Sequence, residues 1–76
     1  MKSVEDRLTE CKNIRSQFQS MGLLTIPGLK ESLSKHMNDF ITLDESQTFK
    51  LQGENQTYEV VLTVNEKKKS GVRVIL

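Results

Sequence analysis

Two side chains in this sequence could support nucleophilic or proton-transfer chemistry: the single cysteine, Cys11, and the single histidine, His36. A thiolate activated by an imidazole is one nucleophile–base pair, and a serine beside His36 would be the other. The surroundings of both residues argue for packing instead. Cys11 falls in the series Val4, Leu8, Cys11, Ile14, Phe18 and Met21, spaced by three and four, where a free thiol behaves as a small apolar group. His36 neighbours a second such series. No nucleophile elbow, glycine-rich phosphate loop or purposeful carboxylate pair is present. One Cys and one His fall short of the roughly four ligands that a structural zinc ion takes. The reading is therefore non-enzymatic, with no catalytic, cofactor-binding or metal-ligating residue assigned and no small-molecule substrate expected.

Binding chemistry has more to work with. Lys67, Lys68 and Lys69 form a basic run between two apolar alternating stretches. Such a loop could reach phosphates as the wing of a winged-helix, nucleic-acid-binding domain. A recognition helix needs several basic or amide groups on one exposed face, and only Lys35, His36 and Asn38 offer themselves. Lysines in a turn also serve simply to solubilise a loop and blunt sheet pairing. Nucleic acid is thus the alternative, and protein the favoured partner. Asn55-Gln56-Thr57 matches a glycosylation sequon, but no signal-like apolar run precedes it, so the match reads as coincidence. Val74-Ile75-Leu76 has the form of a carboxylate ligand for sheet edges, yet it alternates in step with the residues before it and reads as a strand.

These residues need a scaffold, and size limits what it can be. The chain has 76 residues and reads as one small domain, 1–76, of net charge +1, with 36% hydrophobic residues and no Trp. A chain this short buries only about 60% of its unfolded surface, and it has neither a disulfide nor a zinc site to add stability. Burial against a partner or a second copy is the expected remedy, so a homo-oligomer or a small subunit or adaptor of a larger assembly is predicted. No stretch approaches the roughly 18 apolar residues that span a bilayer, and a lone cysteine suits a reducing interior, so an intracellular (cytoplasmic or nuclear) protein is expected, with no membrane partner.

Hydrophobic periodicity supplies the elements. Ser3 is a good N-cap for a helix from about Val4 to Ser20, and Gly22 suits the left-handed position that ends one. Thr25 is read as capping a second helix with Pro27 in its first turn and a stripe of Ile26, Leu29, Leu33, Met37 and Phe40. At Phe40 the period changes to two: Ile41 and Leu43, then Phe49 and Leu51, then Tyr58, Val60, Leu62 and Val64, then Val72, Val74 and Leu76. The densest of these, Tyr58–Val64, is the expected central strand. The predicted fold is α+β, in the order α-α-β-β-β-β, with two N-terminal helices packed on one face of an antiparallel sheet of three to four strands. The outward positions then put Val61, Thr63 and Ile75 on the uncovered face with Arg73, Val61 lying beside Ile75. With the apolar overflow of the first helix, Phe18, Met21, Leu23 and Leu24, and with the terminal edge strand, they make the predicted partner-binding surface.

Overall fold

The computed structural model describes residues 1–76. It has an α+β fold of two helices and a three-stranded antiparallel sheet. Helix α1 spans Val4–Ser20, and its first turn is closed by Ser3, whose Oγ accepts the Asp6 amide at 3.1 Å. Gly22 follows in the left-handed region, and Leu23–Thr25 form a single 3-10 turn whose Thr25 hydroxyl donates to the Gly22 carbonyl at 2.9 Å.

Helix α2 spans Leu29–Thr42, so its start lies later than Thr25 and Pro27 suggested. The reason is Gly28, which holds φ +82°, a value that cannot lie inside a right-handed helix and that glycine adopts freely. A Cβ there would meet nothing, so backbone conformation and not close approach explains this glycine. Gly53 is the crowded one: a Cβ would lie 2.9 Å from Tyr58 Cε2. At its other end α2 runs through Ile41 and Thr42, which abolishes the short strand expected there. Two alternating residues cannot outweigh a stripe that continues from Leu33 and Met37 to Phe40.

What ends α2 comes from α1. Arg7 is 2% exposed. Its Nη1 donates to the carbonyls of Phe40 (3.0 Å) and Ile41 (3.3 Å) and pairs with Asp44, which itself takes φ 54°. The guanidinium thus satisfies carbonyls that the last helical turn leaves without intrahelical partners. By spacing alone Leu8 belongs to the apolar stripe of α1 and Arg7 to its polar face. The buried stripe of α1 is instead Arg7, Cys11, Ile14 and Phe18, and Val4 and Leu8 are exposed.

The strands are β1 (Gln47–Gln52), β2 (Thr57–Leu62) and β3 (Gly71–Ile75), in the spatial order β1-β2-β3. Phe49 pairs with Val60 and Leu51 with Tyr58; Val60 pairs with Val72 and Tyr58 with Val74. Period-two alternation therefore gathers these residues on one face and Lys50, Glu59, Val61, Arg73 and Ile75 on the other. One buried cluster joins Cys11, Ile14 and Phe18, then Leu23, then Leu29, Leu33, Met37 and Phe40, with Phe49, Leu51, Val60 and Leu62. Phe18 meets Tyr58 edge-on with centroids 5.8 Å apart, and His36 stacks on Phe49 at 3.9 Å.

The β2–β3 loop is fastened to α1. Glu10 accepts the Ser70 amide at 2.8 Å, and Lys2 Nζ lies 2.8 Å from the same carboxylate. The Lys2 amide also donates to the Val64 carbonyl at 2.9 Å.

Candidate functional site

The structure keeps Cys11 and His36 in separate settings. Cys11 is buried on α1, and desolvation pushes its thiol pKa up, which opposes thiolate formation. His36 lies flat on Phe49 with Nδ1 3.2 Å from Gln47 Oε1. No hydrogen bond joins the two, and nowhere do three His, Cys, Asp or Glu side chains gather as metal ligands would. No helix is long and apolar enough to cross a membrane.

Lys67, Lys68 and Lys69 are exposed in the β2–β3 loop, whose tip is tied by the Lys67 amide to Asn65 Oδ1 (2.9 Å) and the Lys68 amide to the Asn65 carbonyl (3.0 Å). None of the three forms an ion pair.

The residues expected to meet a partner divide into three groups. Phe18 is fully enclosed and packs the core, and Thr63 is buried beyond the end of β2, where its Oγ1 accepts the Asn65 amide and its own amide donates to Ser70 Oγ. Neither can present its side chain to another molecule. Leu23 is buried and Leu24 half-buried against the cluster. Val61 and Ile75 share one face of the sheet, but not side by side: Val61 is opposite Gly71, Ile75 is opposite Thr57, and the Glu59–Arg73 pair lies between them. Arg73 Nε donates to Glu59 Oε1 at 2.7 Å. The centre of that face is an ion pair, so no continuous apolar patch forms there.

Exposed apolar surface concentrates elsewhere. Strand β3 is an edge strand, and its backbone hydrogen bonds run only to β2. Its inner-face residues Val72 and Val74 meet the end of α1 across a groove of about 430 Å³ that Met21 and Tyr58 also line. Met21 is 49% exposed and Val74 40%. The opposite edge differs, because Phe49 and Leu51 on β1 are buried. Val72 packs in part against the core cluster and Val74 does not, because alternation reports a face and is silent on whether a helix covers it. Their place on the last strand of a meander is the signal that marks them.

A second opening lies between the helices, with Leu8, Cys11, Met37 and Ile41 along it and Lys12 and Arg15 at its rim. Compared with models of protein families, with curated proteins and with solved structures, the chain matches none.

Proposed function

We propose that this protein is a small, non-catalytic protein-interaction module that associates with a second copy of itself by pairing β3 to β3. In this reading both helices form one layer over a single sheet face, and support for it comes from the Phe18–Tyr58 and His36–Phe49 contacts. Support for an intracellular setting is the unpaired, buried Cys11, which suits a reducing compartment.

The observation that carries the reading is the open edge of β3 with Val74 and Met21 exposed beside it and Val72 only partly covered. An unpaired edge presents alternate amides and carbonyls as a template for another strand. A second copy related by a two-fold axis normal to the sheet adds its own β3 antiparallel, giving a six-stranded sheet with all helices on one side. Two registers compete. Centring on Arg73 sets two guanidinium groups directly opposite, which is unfavourable. Centring on Val74 pairs Val74 with itself, Val72 with Leu76, and Arg73 with Ile75, so that apolar side chains meet and the Arg73 stem lies over Ile75. We favour the Val74 register.

A short two-strand interface falls in the small, transient class, so dissociation constants in the tens of micromolar are expected. Sedimentation equilibrium should show a monomer–dimer equilibrium in that range. Val74→Glu should give a monomer with an unchanged circular dichroism spectrum, because the side chain is already 40% exposed. Val61→Glu, on the far side of the Glu59–Arg73 pair, should leave the equilibrium alone. A wild-type chain that stays monomeric at about ten times those concentrations would overturn the reading.

A further inference from the structure

We infer that the groove between α1 and α2 is a docking site for a short, acidic amphipathic helix of another protein. This goes beyond self-association and uses a different surface.

The two helices run antiparallel, with Arg7 at the start of α1 meeting Phe40 and Ile41 at the end of α2. Between them opens a groove of about 720 Å³. Its apolar lining comes from Cys11 and Met37, both core residues, and from Leu8 and Ile41. Leu8 is 51% exposed although it lies on a helix packed against the core.

The rim decides the sign of the partner. Lys12 and Arg15 stand on the α1 side, three residues apart and so on one face. Neither forms an ion pair; Arg15 Nη2 reaches only the Met37 sulfur at 3.5 Å. The α2 side carries Ser34 and Asn38, both uncharged, and no carboxylate lines the groove. Two cations without counter-charge beside an apolar floor are complementary to a ligand with an apolar stripe and acidic residues on one flank, and they repel a basic one.

The length suits a helix. From Leu8 to Arg15 is two turns, about 10 Å of rise, and the lining positions on α1 and α2 recur at three- and four-residue steps. A third helix with apolar residues at i, i+3 or i+4, and i+7 would lay that stripe along the exposed Leu8 and the half-buried Ile41, over the covered Cys11 and Met37, and set Glu or Asp against Lys12 and Arg15.

The test uses the full chain and two fluorescent synthetic peptides of about 14 residues, four turns. Both carry Leu at three- and four-residue steps on an Ala-rich background; one flank is Glu in the first peptide and Lys in the second. By anisotropy the acidic peptide should bind at least about tenfold more tightly than the basic one. Lys12→Glu with Arg15→Glu should invert that order. Leu8→Ser, at a site already 51% exposed, should leave the circular dichroism spectrum unchanged and weaken both. Val74→Glu should change neither, which separates this site from the β3 edge. The proposal is overturned if the acidic peptide fails to bind folded protein, if both peptides bind alike, or if the double substitution leaves their order unchanged. It is overturned equally if replacing Lys67–Lys69 by Glu, and not the change at Lys12 and Arg15, removes the preference. A fifth overturning result is a dodecanoate anion displacing the peptide completely and binding more tightly than it, which would mark a lipid-anion site.

Discussion

Replacing Arg7 by methionine should cost the fold about 2–3 kcal/mol, and the size of that loss follows from which partners water can replace. Hydrogen bonds with a charged member contribute about 1.5–3 kcal/mol each, and leaving a buried acceptor unmade costs about 1–3. Arg7 Nη1 serves two such acceptors, the Phe40 and Ile41 carbonyls at 3.0 and 3.3 Å. Methionine keeps the apolar stem and removes a buried cation whose Nε has no partner, which offsets part of the loss. Asp44 is 48% exposed and regains water, so breaking its pair costs at most about 1 kcal/mol. Stability for a chain of 76 residues is about 4–11 kcal/mol at 0.05–0.15 per residue, so the substitution removes a large fraction. Urea unfolding followed by circular dichroism reads the change as a lower midpoint at constant slope. Asp44→Asn should lose less than about 1 kcal/mol, since asparagine tolerates the φ of 54°. Arg7→Ala, which adds a cavity, should lose about 4. The reasoning fails if Arg7→Met stays within about 0.5 kcal/mol of wild type, or if Asp44→Asn costs as much as Arg7→Met. The first result would show that the last carbonyls of α2 do not need the guanidinium, and the second would make Arg7 half of an ion pair and no cap for α2.

Two further predictions concern the loop and the glycines. Burial alone would raise the Glu10 carboxyl, but hydrogen bonds from Lys2 and the Ser70 amide outweigh it and hold the pKa below its ordinary 4.5. A depressed folded pKa adds stability that is full above the unfolded value and is lost as pH falls through the folded one. The gap in urea midpoint between wild type and Glu10→Gln should therefore be widest at neutral pH and close as pH falls below the ordinary carboxylate value of 4.5; a constant gap would show that the carboxylate charge is not what holds the loop. Gly28→Ala should cost about 1–2 kcal/mol through φ +82° alone, with Gly28→Asn nearer neutral, whereas Gly53→Ala should cost about 1–3 by pressing on the Tyr58 ring, as thermal melts would show.

Much of this fold is written in local periodicity. The helix from Val4 to Ser20 has its capping serine and terminal glycine in place, and the central strand and both its neighbours follow from alternation. What local pattern cannot carry is register. Pairing Val61 with Gly71 rather than with Ile75 is fixed by the loop of residues 63–70, whose span depends on Glu10 reaching Ser70 from another element. The candidate surface suffered accordingly. Val61 and Ile75, read from the sequence as neighbours, share a face but lie at opposite ends of it, and Thr63 is buried at the turn that follows β2.

The misreading of α1 has a physical cause that bears on its surface. Val4-Leu8-Cys11-Ile14 and Arg7-Cys11-Ile14-Phe18 are both helical stripes by spacing, and hydropathy alone prefers the first. The second is realised because α2 ends against α1 and exposes carbonyls that only a long donor can reach. With Arg7 turned inward, Leu8 is turned toward the groove between the helices, on the same side as Lys12 and Arg15. The apolar side chain that would otherwise have closed the core therefore becomes surface, next to two cations without partners. A requirement of the fold, a donor for the last turn of α2, is in this way also what supplies the groove with its exposed apolar wall.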